Sequence, residues 1–273
     1  MGTAGIVLCG GKSSRMGRAK AWLPWCGRPL VAHVVSVLSK VVDEVVVVTS
    51  EQLELPPLDA RVIRDREPEL GPLAGIRDGL EQTRSDRAFV TATDAPFLSS
   101  VFVEAMLAHD GAVAAEIDGH VQTLAAVYPR CGAGVADEML AEGRGRPLEL
   151  LERLRYRRIP ASELPDVASV RGFNTPDEYL AAVRSAGGTP TAVVELFGAA
   201  RAAVGRREIE VSIGTLDEVL DSLRPRLDVL VDGVVANPFS VSLAGTPLHE
   251  GSVPIGPDER VSVQFDIDIR ETP

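Results

Sequence analysis

The segment from residue 9 to residue 20 has the composition of an anion-binding loop. A short apolar run at residues 4–8 leads into Cys-Gly-Gly-Lys-Ser-Ser-Arg-Met-Gly-Arg-Ala-Lys. Because glycine has no Cβ, the backbone at Gly10 and Gly11 can turn sharply and point successive N–H groups at anionic oxygens. The same segment carries two cations suited to phosphate oxygens, Arg15 and Lys20. The pattern predicts a phosphate-binding loop at the end of a buried strand.

This loop differs from two common phosphate-binding patterns. The P-loop places Lys and then Ser or Thr directly after its last glycine, and the dinucleotide fingerprint requires a third glycine at a spacing that is absent here. A Gly-Gly pair near a terminus is by itself only a turn signal. The sequence Arg-Met-Gly at residues 15–17, followed by Lys20, makes the whole segment more specific than that pair.

Two aspartates stand at the predicted ends of strands, where a carboxylate can meet a bound ligand. Asp94 follows the apolar run 87–93 and precedes Pro96, which stops strand pairing. A carboxylate in this position suits Mg²⁺, which prefers one or two carboxylates together with phosphate oxygens and water. A helix-capping role is the simpler alternative. Asp65, at the end of the run 61–65, offers a second carboxylate that can accept hydrogen bonds.

The elements that must position these residues alternate between strand and helix. Continuous β-branched runs predict buried strands, and apolar residues at helical spacing predict the helices between them. The predicted order is strand 4–8, helix 29–38, strand 43–49, strand 61–65, helix 71–80, strand 87–93 and helix 101–108. Such repeats predict a doubly wound, mostly parallel α/β sheet of the Rossmann-like type, whose ligands bind beyond the carboxyl ends of the strands.

Beyond residue 110 the pattern changes, and three further candidates appear. Asp-Gly at residues 118–119 predicts a hairpin that interrupts the parallel order. Arg144 and Arg146 belong to a cluster of cations that could hold a phosphorylated acceptor, although a solvated helix surface is the simpler interpretation. Thr175, Pro176 and Glu178 form a predicted helix N-terminus with a capping box, which leaves the preceding Asn174 unexplained.

The sequence predicts two domains joined by a short linker. Residues 1–186 form the first, residues 187–191 are rich in Gly, Thr and Pro, and residues 192–273 form the second. In the second, strands surround one helix at residues 215–223, which has another capping box. This arrangement predicts a small α+β module of the β-grasp, ubiquitin-like type.

The loop at residues 8–20 resembles the signature of nucleotidyltransferases, most closely of the molybdenum cofactor guanylyltransferases. That family has Leu-Ala-Gly-Gly, three variable residues, Arg-Met-Gly, two more residues and Lys. Asp65 followed by Gly-Pro-Leu-Ala-Gly at 71–75 is similar to a second family motif, and Asp-Ala-Pro at 94–96 to a third. This chain departs from the pattern with Ala19 in place of Asp and Gly172 in place of the first Asn of Asn-x-Asn-Thr-Pro.

The resemblance implies a reaction and a set of site residues. GMP would pass from GTP to the molybdenum-bound molybdopterin cofactor, with Mg²⁺ on Asp94 and with pyrophosphate as the second product. The catalytic residues would be Arg15, Lys20 and Asp94. The nucleotide contacts would be Leu8, Cys9, Gly10, Gly11, Lys20, Thr49, Asp65, Gly71, Pro72, Leu73 and Asp94. The acceptor would meet Asn174, to which we add Arg144 and Arg146 from their charge.

The second domain resembles the small sulfur-carrier subunit of molybdopterin synthase, but the chain lacks the terminal Gly-Gly of such carriers. A docking role towards a molybdoenzyme or a cofactor-assembly protein therefore remains open. Two alternatives to the guanylyltransferase also remain. One is another nucleotidyltransferase, using CTP or a sugar-phosphate acceptor. The other is a catalytically decayed adaptor, for which Ala19 and Gly172 would be the signs of decay.

Composition limits the partners. The formal charge of −11 and the isoelectric point near 4.9 argue against nucleic acid and anionic membranes, which such a chain would repel. No apolar run has membrane-spanning length, and the start lacks the features of a signal peptide. The three cysteines have neither disulfide-framework nor metal-site spacing. We therefore expect a cytoplasmic protein with reduced thiols.

Overall fold

A computed structural model describes residues 2–10, 15–187, 190–227 and 240–264. As far as residue 160 the helices and strands are β1 (Thr3–Cys9), β2 (Pro24–Trp25), β3 (Arg28–Pro29), α1 (Leu30–Leu38), β4 (Glu44–Thr49), β5 (Arg61–Arg64), α2 (Pro72–Gln82), β6 (Arg87–Ala92), α3 (Ser100–Leu107), β7 (Val113–Ile117), β8 (His120–Pro129), α4 (Gly132–Ala141), α5 (Pro147–Arg153) and β9 (Arg157–Pro160). They are followed by α6 (Pro176–Ser185), β10 (Thr191–Phe197), α7 (Gly198–Val204), β11 (Glu208–Ser212), β12 (Gly214–Thr215), α8 (Leu216–Leu227), β13 (Ser240–Leu243), β14 (Thr246–Leu248), β15 (Pro254–Ile255) and β16 (Arg260–Gln264).

The chain divides into two compact units. The first comprises residues 1–12, 19–23 and 28–173, and the second comprises residues 13–18, 24–27 and 174–273. Helix α6 and residues 13–18 thus group with the second unit, although the sequence pattern assigned them to the first domain. The predicted boundaries at 186 and 192 stay a prediction.

A seven-stranded sheet forms the centre of the first unit, in the order β5-β4-β1-β6-β8-β7-β9. Strands β5, β4, β1 and β6 are parallel to one another, as predicted. Strand β8 is antiparallel to both β6 and β7. The predicted hairpin turn at Asp118 and Gly119 joins β7 to β8, and both residues have positive φ. The predicted mostly parallel α/β sheet is therefore confirmed.

Two apolar clusters lie on the opposite faces of this sheet. Because successive residues of a strand face opposite sides, Val7 and Val47 join one cluster, whereas Ile6 and Val46 join the other. The first cluster includes the buried faces of α1 and α3, and the second includes those of α2, α4 and α5. Burying the side chain of each Val or Ile stabilises the folded state by about 1.5–3 kcal/mol relative to leaving it exposed. Helices on both faces make the sheet doubly wound.

Helix α2 packs unusually close to β1 because it presents glycines to the strand. A Cβ on Gly79 would lie 2.7 Å from Cγ2 of Ile6, and one on Gly75 would lie 3.1 Å from Cδ2 of Leu8. Larger side chains would force the helix away from the sheet. The Gly-Pro-Leu-Ala-Gly segment that opens α2 is thus held close to the end of β1.

The second unit has its own five-stranded sheet, in the order β11-β10-β16-β13-β14. Strand β10 is parallel to β16, and the other pairs are antiparallel. Helices α7 and α8 cover an apolar cluster that includes Val194, Val219 and Val261. The capping boxes predicted at Thr175 and Thr215 are both present. Residues 228–234, whose apolar pattern also predicts a strand, lie outside the described residues, and the β-grasp assignment stays a prediction.

Candidate functional site

The carboxyl ends of four parallel strands meet at one edge of the large sheet. Cys9 pairs with Thr49 across β1 and β4, Thr49 pairs with Arg64 on β5, and Leu8 pairs with Ala92 on β6. Neighbouring strands lie about 4.8 Å apart. The residues that follow these strands, Gly10, Asp65 and Asp94, therefore share this edge, as the sequence predicted.

Two threonines connect the strand ends through their hydroxyls. The backbone N and Oγ1 of Thr93 both donate to the carbonyl oxygen of Leu8, at 3.1 and 3.2 Å. Thr49, which is fully buried, donates from Oγ1 to the carbonyl oxygen of Cys9 at 3.0 Å. Burial raises the pKa of the Cys9 thiol, which keeps it neutral at pH 7. Sequence reasoning missed Thr93, although a polar residue at the end of an apolar strand was a signal for it.

Lys20 and Asp94 form the central contact of this edge. The Nζ of Lys20 lies 2.6 Å from Oδ2 of Asp94 and donates to the carbonyl oxygen of Phe173 at 2.7 Å. The same Nζ lies 5.5 Å from the centre of the Phe173 ring, within the range of a cation–π contact. The side chains of Lys20 and Asp94 are 18% and 29% exposed, so both can still be reached from solvent. The structure thus brings together two residues that the sequence placed at the reaction centre.

Gly172 packs directly against the backbone of Asp94. A Cβ at this position would lie 2.7 Å from the Asp94 carbonyl oxygen, a distance that real Cβ atoms essentially never show. This is the position at which the resemblance called for Asn. Glycine fits this position because the main chain of Asp94, the predicted metal ligand, fills the space that a side chain would need.

Asp65 lies one residue beyond β5 and is held by the backbone on both sides. Its N–H donates to the Thr49 carbonyl oxygen at 2.8 Å, and its Oδ1 accepts from the Glu67 N–H at 2.9 Å. Burial, together with the nearby Asp78 carboxylate, raises the pKa of the Asp65 side chain. Gly71, at φ +78°, precedes the helix that begins at Pro72. Leu73 is fully buried in the core, so its backbone is the part left for a ligand.

Five further predicted site residues take no part in the contacts described above. Gly11 lies outside the described residues. Arg15 and Asn174 are both exposed and belong to the second unit, and the N–H of Asn174 donates to Oε2 of Glu178 at 2.6 Å. Arg144 and Arg146 are exposed on the first unit. The roles of these residues stay predictions.

Arg144 has carboxylates around it. It lies 3.6 Å from Glu142 and 4.0 Å from Glu149, and it lines an open depression with Glu149, Glu152 and Arg153. The opposite charges reduce the positive field that a phosphorylated acceptor would meet. This arrangement fits the solvated surface that the sequence left open as the simpler alternative.

The described residues contain no cluster of three or more His, Cys, Asp or Glu side chains that could hold a metal ion. Asp94 instead offers a single, partly exposed carboxylate at a strand tip. That donor set does not suit an ion bound only by protein, but it does suit Mg²⁺, which retains water and substrate phosphates as ligands.

The chain was also compared with known protein families. Residues 5–158 match the model of the MobA-like NTP transferase domain. The chain belongs to this family. It is therefore a nucleotidyltransferase, and the resemblance carried by the motifs at residues 8–20, 65–75 and 94–96 is confirmed. The resemblance of the second domain to a sulfur-carrier subunit stays a prediction. None of the described helices is long and apolar enough to cross a membrane.

Relatives of known name extend this family assignment. The chain is 35% identical over 185 residues to a probable molybdenum cofactor guanylyltransferase of Mycobacterium tuberculosis. The aligned region covers 63% of this chain and 92% of the relative. A Mycobacterium marinum protein of the same name is 34% identical over 190 residues, 66% of the chain and 93% of the relative.

Two solved structures share the fold. Molybdopterin-guanine dinucleotide biosynthesis protein A from Archaeoglobus fulgidus has a TM-score of 0.55 at 25% identity, covering 67% of this chain and 98% of its own. The 2-C-methyl-D-erythritol 4-phosphate cytidylyltransferase from Thermus thermophilus has a TM-score of 0.53 at 16% identity, covering 67% and 98% respectively. The second of these shows the fold alone.

Proposed function

We propose that this nucleotidyltransferase transfers GMP from GTP to the molybdenum-bound molybdopterin cofactor and releases pyrophosphate. The observation that carries the proposal is the contact between Lys20 and Asp94 at the edge where β1 and β6 end. The choice of molybdopterin as the acceptor rests on the names of the mycobacterial relatives and of the Archaeoglobus structure. The expected recipient of the product is a molybdoenzyme or a cofactor-assembly protein, and the expected location is the cytoplasm.

The phosphates would be bound by backbone and cations together. N–H groups of the loop at Gly10 and Gly11 would donate to phosphate oxygens, and Lys20 with Arg15 would hold the β- and γ-phosphates. Positive charge at that place stabilises the charge that develops as pyrophosphate leaves. The bond to the Phe173 carbonyl oxygen would keep Lys20 at this edge while a phosphate takes the place of Asp94.

Asp94 would hold Mg²⁺. A bound Mg²⁺ would neutralise phosphate charge and orient the α-phosphate. The main chain around Asp94 is fixed from two sides, by Thr93 on the Leu8 carbonyl oxygen and by the close approach of Gly172. The carboxylate is therefore presented in one place, which suits a residue that has to bind an ion in a defined position.

The base and ribose would be recognised by the segment from Asp65 to Leu73. Asp65 accepts hydrogen bonds, and guanine offers N1 and N2 hydrogens to an acceptor. The Gly10-Gly11 pair together with Gly-Pro-Leu-Ala-Gly favours GTP over CTP within this group of enzymes. Thr49 is fully buried, so it would contribute through its carbonyl oxygen, which accepts from the Asp65 N–H. The bound nucleotide would thus lie along the strand tips.

The reaction itself requires no side-chain nucleophile. A phosphate oxygen of the acceptor would form the new bond to the α-phosphorus, and the bond from that phosphorus to the β-bridging oxygen would break. The electron pair would leave with pyrophosphate. Asn174 is the proposed contact of the acceptor, which has to be held in line with the leaving group. Arg144 and Arg146 are proposed from their charge alone, and the carboxylates beside Arg144 count against it.

The test measures pyrophosphate release with each of GTP, CTP and ATP in the presence of Mg²⁺ and molybdenum-loaded molybdopterin. We expect GTP to be the preferred substrate and Asp94→Ala to abolish transfer with the fold intact. Asp59→Ala, an exposed aspartate, is the matched control. Preference for CTP, or transfer to a sugar phosphate, would replace the proposed substrate. A near-normal rate for Asp94→Ala would remove Asp94 from the mechanism.

A further inference from the structure

The segment that follows Asp65 is fixed by a buried carboxylate on α2. The side chain of Asp78 is only 3% exposed. Its Oδ2 accepts from the backbone N–H of Arg66 at 3.0 Å, and its Oδ1 accepts from Nε and Nη2 of Arg66 at 2.9 and 2.6 Å. One carboxylate therefore holds both the main chain and the side chain of Arg66.

A second buried ion extends this contact. Arg77 is 4% exposed and donates from Nε to Oδ1 of Asp78 at 2.9 Å. Its Nη1 donates to Glu67 at 2.8 Å and to Asp137 at 3.2 Å. Its Nη2 is buried and has no hydrogen-bond partner among the described residues. The two residues directly after Asp65 are thus both tied to neighbouring positions of α2.

Stability alone does not account for these charges. Burying charged groups costs free energy, and well-packed apolar residues in their place are often as stabilising or more so. A network of charged hydrogen bonds does, however, define one geometry where an apolar contact would permit several. Hydrogen bonds from Arg66 and Arg77 outweigh burial and lower the pKa of Asp78, so its carboxylate is ionised at neutral pH.

The geometry that is defined here is that of Asp65. Its N–H is bound to Thr49 on β4, and its Oδ1 is bound to the N–H of Glu67, which Arg77 holds in turn. The side chain of Arg66 is 55% exposed, so its guanidinium is the outer half of the contact and Asp78 is the buried half. A shift of Arg66 would move Asp65 along the strand-tip edge.

We propose that Arg66 and Asp78 are positioning residues which hold Asp65 in place and so set the enzyme's selectivity between nucleotides. This rests on the proposed function, in which Asp65 contacts the base or ribose. Neither residue is required to touch the nucleotide. They act through the backbone of residues 65–67, the start of the segment that leads into α2.

The test compares Arg66→Ala with the wild-type full chain. Transfer is measured with GTP and CTP, and KM and kcat are determined separately for each. For Arg66→Ala we expect KM for GTP to rise about tenfold, with kcat changed about twofold or less and the preference for GTP over CTP reduced. Arg66→Lys keeps the charge but loses the forked geometry, so we expect it to recover only part of the selectivity.

Arg84→Ala is the matched control, because Arg84 is an exposed arginine just beyond α2. We expect its kinetic constants to equal those of the wild type. A loss of kcat without a change in selectivity for Arg66→Ala would mean that the contact only supports the fold, and unchanged constants would mean that it does nothing for the site. Either result overturns the inference.

Failure of the proposed function would look different. It would appear in the wild type itself, as absence of GMP transfer with another nucleotide preferred. The same variants are then read on that nucleotide, and a loss of preference for it in Arg66→Ala would still support the positioning role. Asp78→Asn is a second variant for the same kinetic measurements. Its melting temperature is measured first, because the change leaves Nε of Arg77 without a charged partner at residue 78.

Discussion

The Nζ of Lys20 lies 2.6 Å from Oδ2 of Asp94, so the proposed phosphate ligand and the proposed metal ligand are paired with each other. The contact joins residues 74 positions apart in the chain. A metal ion that binds Asp94 through Oδ2 competes with the ammonium group for that oxygen, and the phosphates of a nucleotide compete with Asp94 for Lys20. We therefore expect nucleotide and metal to bind together more readily than either alone.

Replacing Lys20 should separate these two effects. In Lys20→Met we expect Mn²⁺, used as a spectroscopic substitute for Mg²⁺, to bind about three- to fivefold more tightly without nucleotide, because a competing cation has gone. Transfer should fall by about 10²–10³-fold, because charge on the leaving pyrophosphate is no longer stabilised. Electron paramagnetic resonance and pyrophosphate release measure the two quantities. Lys40→Met, an exposed lysine, is the control. Equal metal affinity in both variants would contradict the competition.

Gly172 should resist even the smallest side chain. In Gly172→Ala the new Cβ meets the Asp94 carbonyl oxygen at 2.7 Å, so Asp94 has to move. We expect kcat to fall on the order of tenfold, with a loss of about 1–3 kcal/mol in unfolding free energy. Stopped-time transfer assays and chemical denaturation are the measurements.

Gly134→Ala is the control for that change. Gly134 lies on α4, and a Cβ there would have nothing within 4 Å. Alanine at an exposed helical position stabilises by about 0.5–1 kcal/mol relative to glycine. Full activity of Gly172→Ala would show that the close approach has no bearing on the site.

Glu44 should make the first unit sensitive to acid. Its Oε1 accepts from Thr83 Oγ1 at 2.6 Å, from Arg84 N at 2.7 Å, and from Ser85 N and Oγ at 3.0 and 2.9 Å. Burial raises the pKa of Glu44, but these hydrogen bonds outweigh it and lower the pKa overall. The stabilisation is therefore complete above the unfolded-state pKa of about 4.3, and it is lost as the pH falls through the lower folded-state pKa.

Glu44→Gln removes that dependence on pH. We expect the variant to be less stable than the wild type at pH 7, and the difference to shrink as the pH is lowered from about 5 to about 3. Urea denaturation at a series of pH values measures the difference. Glu51→Gln, at an exposed glutamate, should follow the wild-type curve. A constant difference between Glu44→Gln and the wild type at every pH would argue against the ionised hydrogen-bonded group.

The second unit contains a mostly buried ion pair that should contribute to its stability. Arg18 donates from Nη1 to Oε2 of Glu259 at 2.8 Å, and its Nη2 lies 2.8 Å from Oε1. The side chains are 16% and 11% exposed. Exposed pairs contribute about 0.2–1 kcal/mol, whereas removing one member of a buried pair costs about 3–5 kcal/mol. We expect Arg18→Ala to cost an intermediate amount, about 2 kcal/mol.

A double-mutant cycle with Glu259→Ala checks the coupling between the two side chains. The control is Arg260→Ala. The Arg260 side chain pairs with Glu195 and is 52% exposed, so we expect its removal to lower the free energy of unfolding by less than about 1 kcal/mol. Additive losses in Arg18→Ala and Glu259→Ala would show that the two side chains do not stabilise each other.

The sequence by itself determined the architecture of the first unit and which residues stand at the edge where its parallel strands end. Alternating apolar runs and amphipathic segments predicted parallel strands with helices on both faces, because a strand buried on both sides has to be apolar throughout. Since parallel strands end at one edge, the positions of Gly10, Asp65 and Asp94 at strand ends also followed. The capping boxes at Thr175 and Thr215 were predictable because all their hydrogen bonds lie within four residues.

Only the tertiary structure decided which of these groups meet. The pairing of Lys20 with Asp94, the approach of Gly172 to the Asp94 carbonyl oxygen and the hold of Asp78 on Arg66 all join separate elements. A periodic pattern states which face of an element is buried, but it does not state which side chain lies opposite. Polar contacts of this kind depend on the distance and direction between two atoms, and those become defined only when the packed sheet and helices fix both ends.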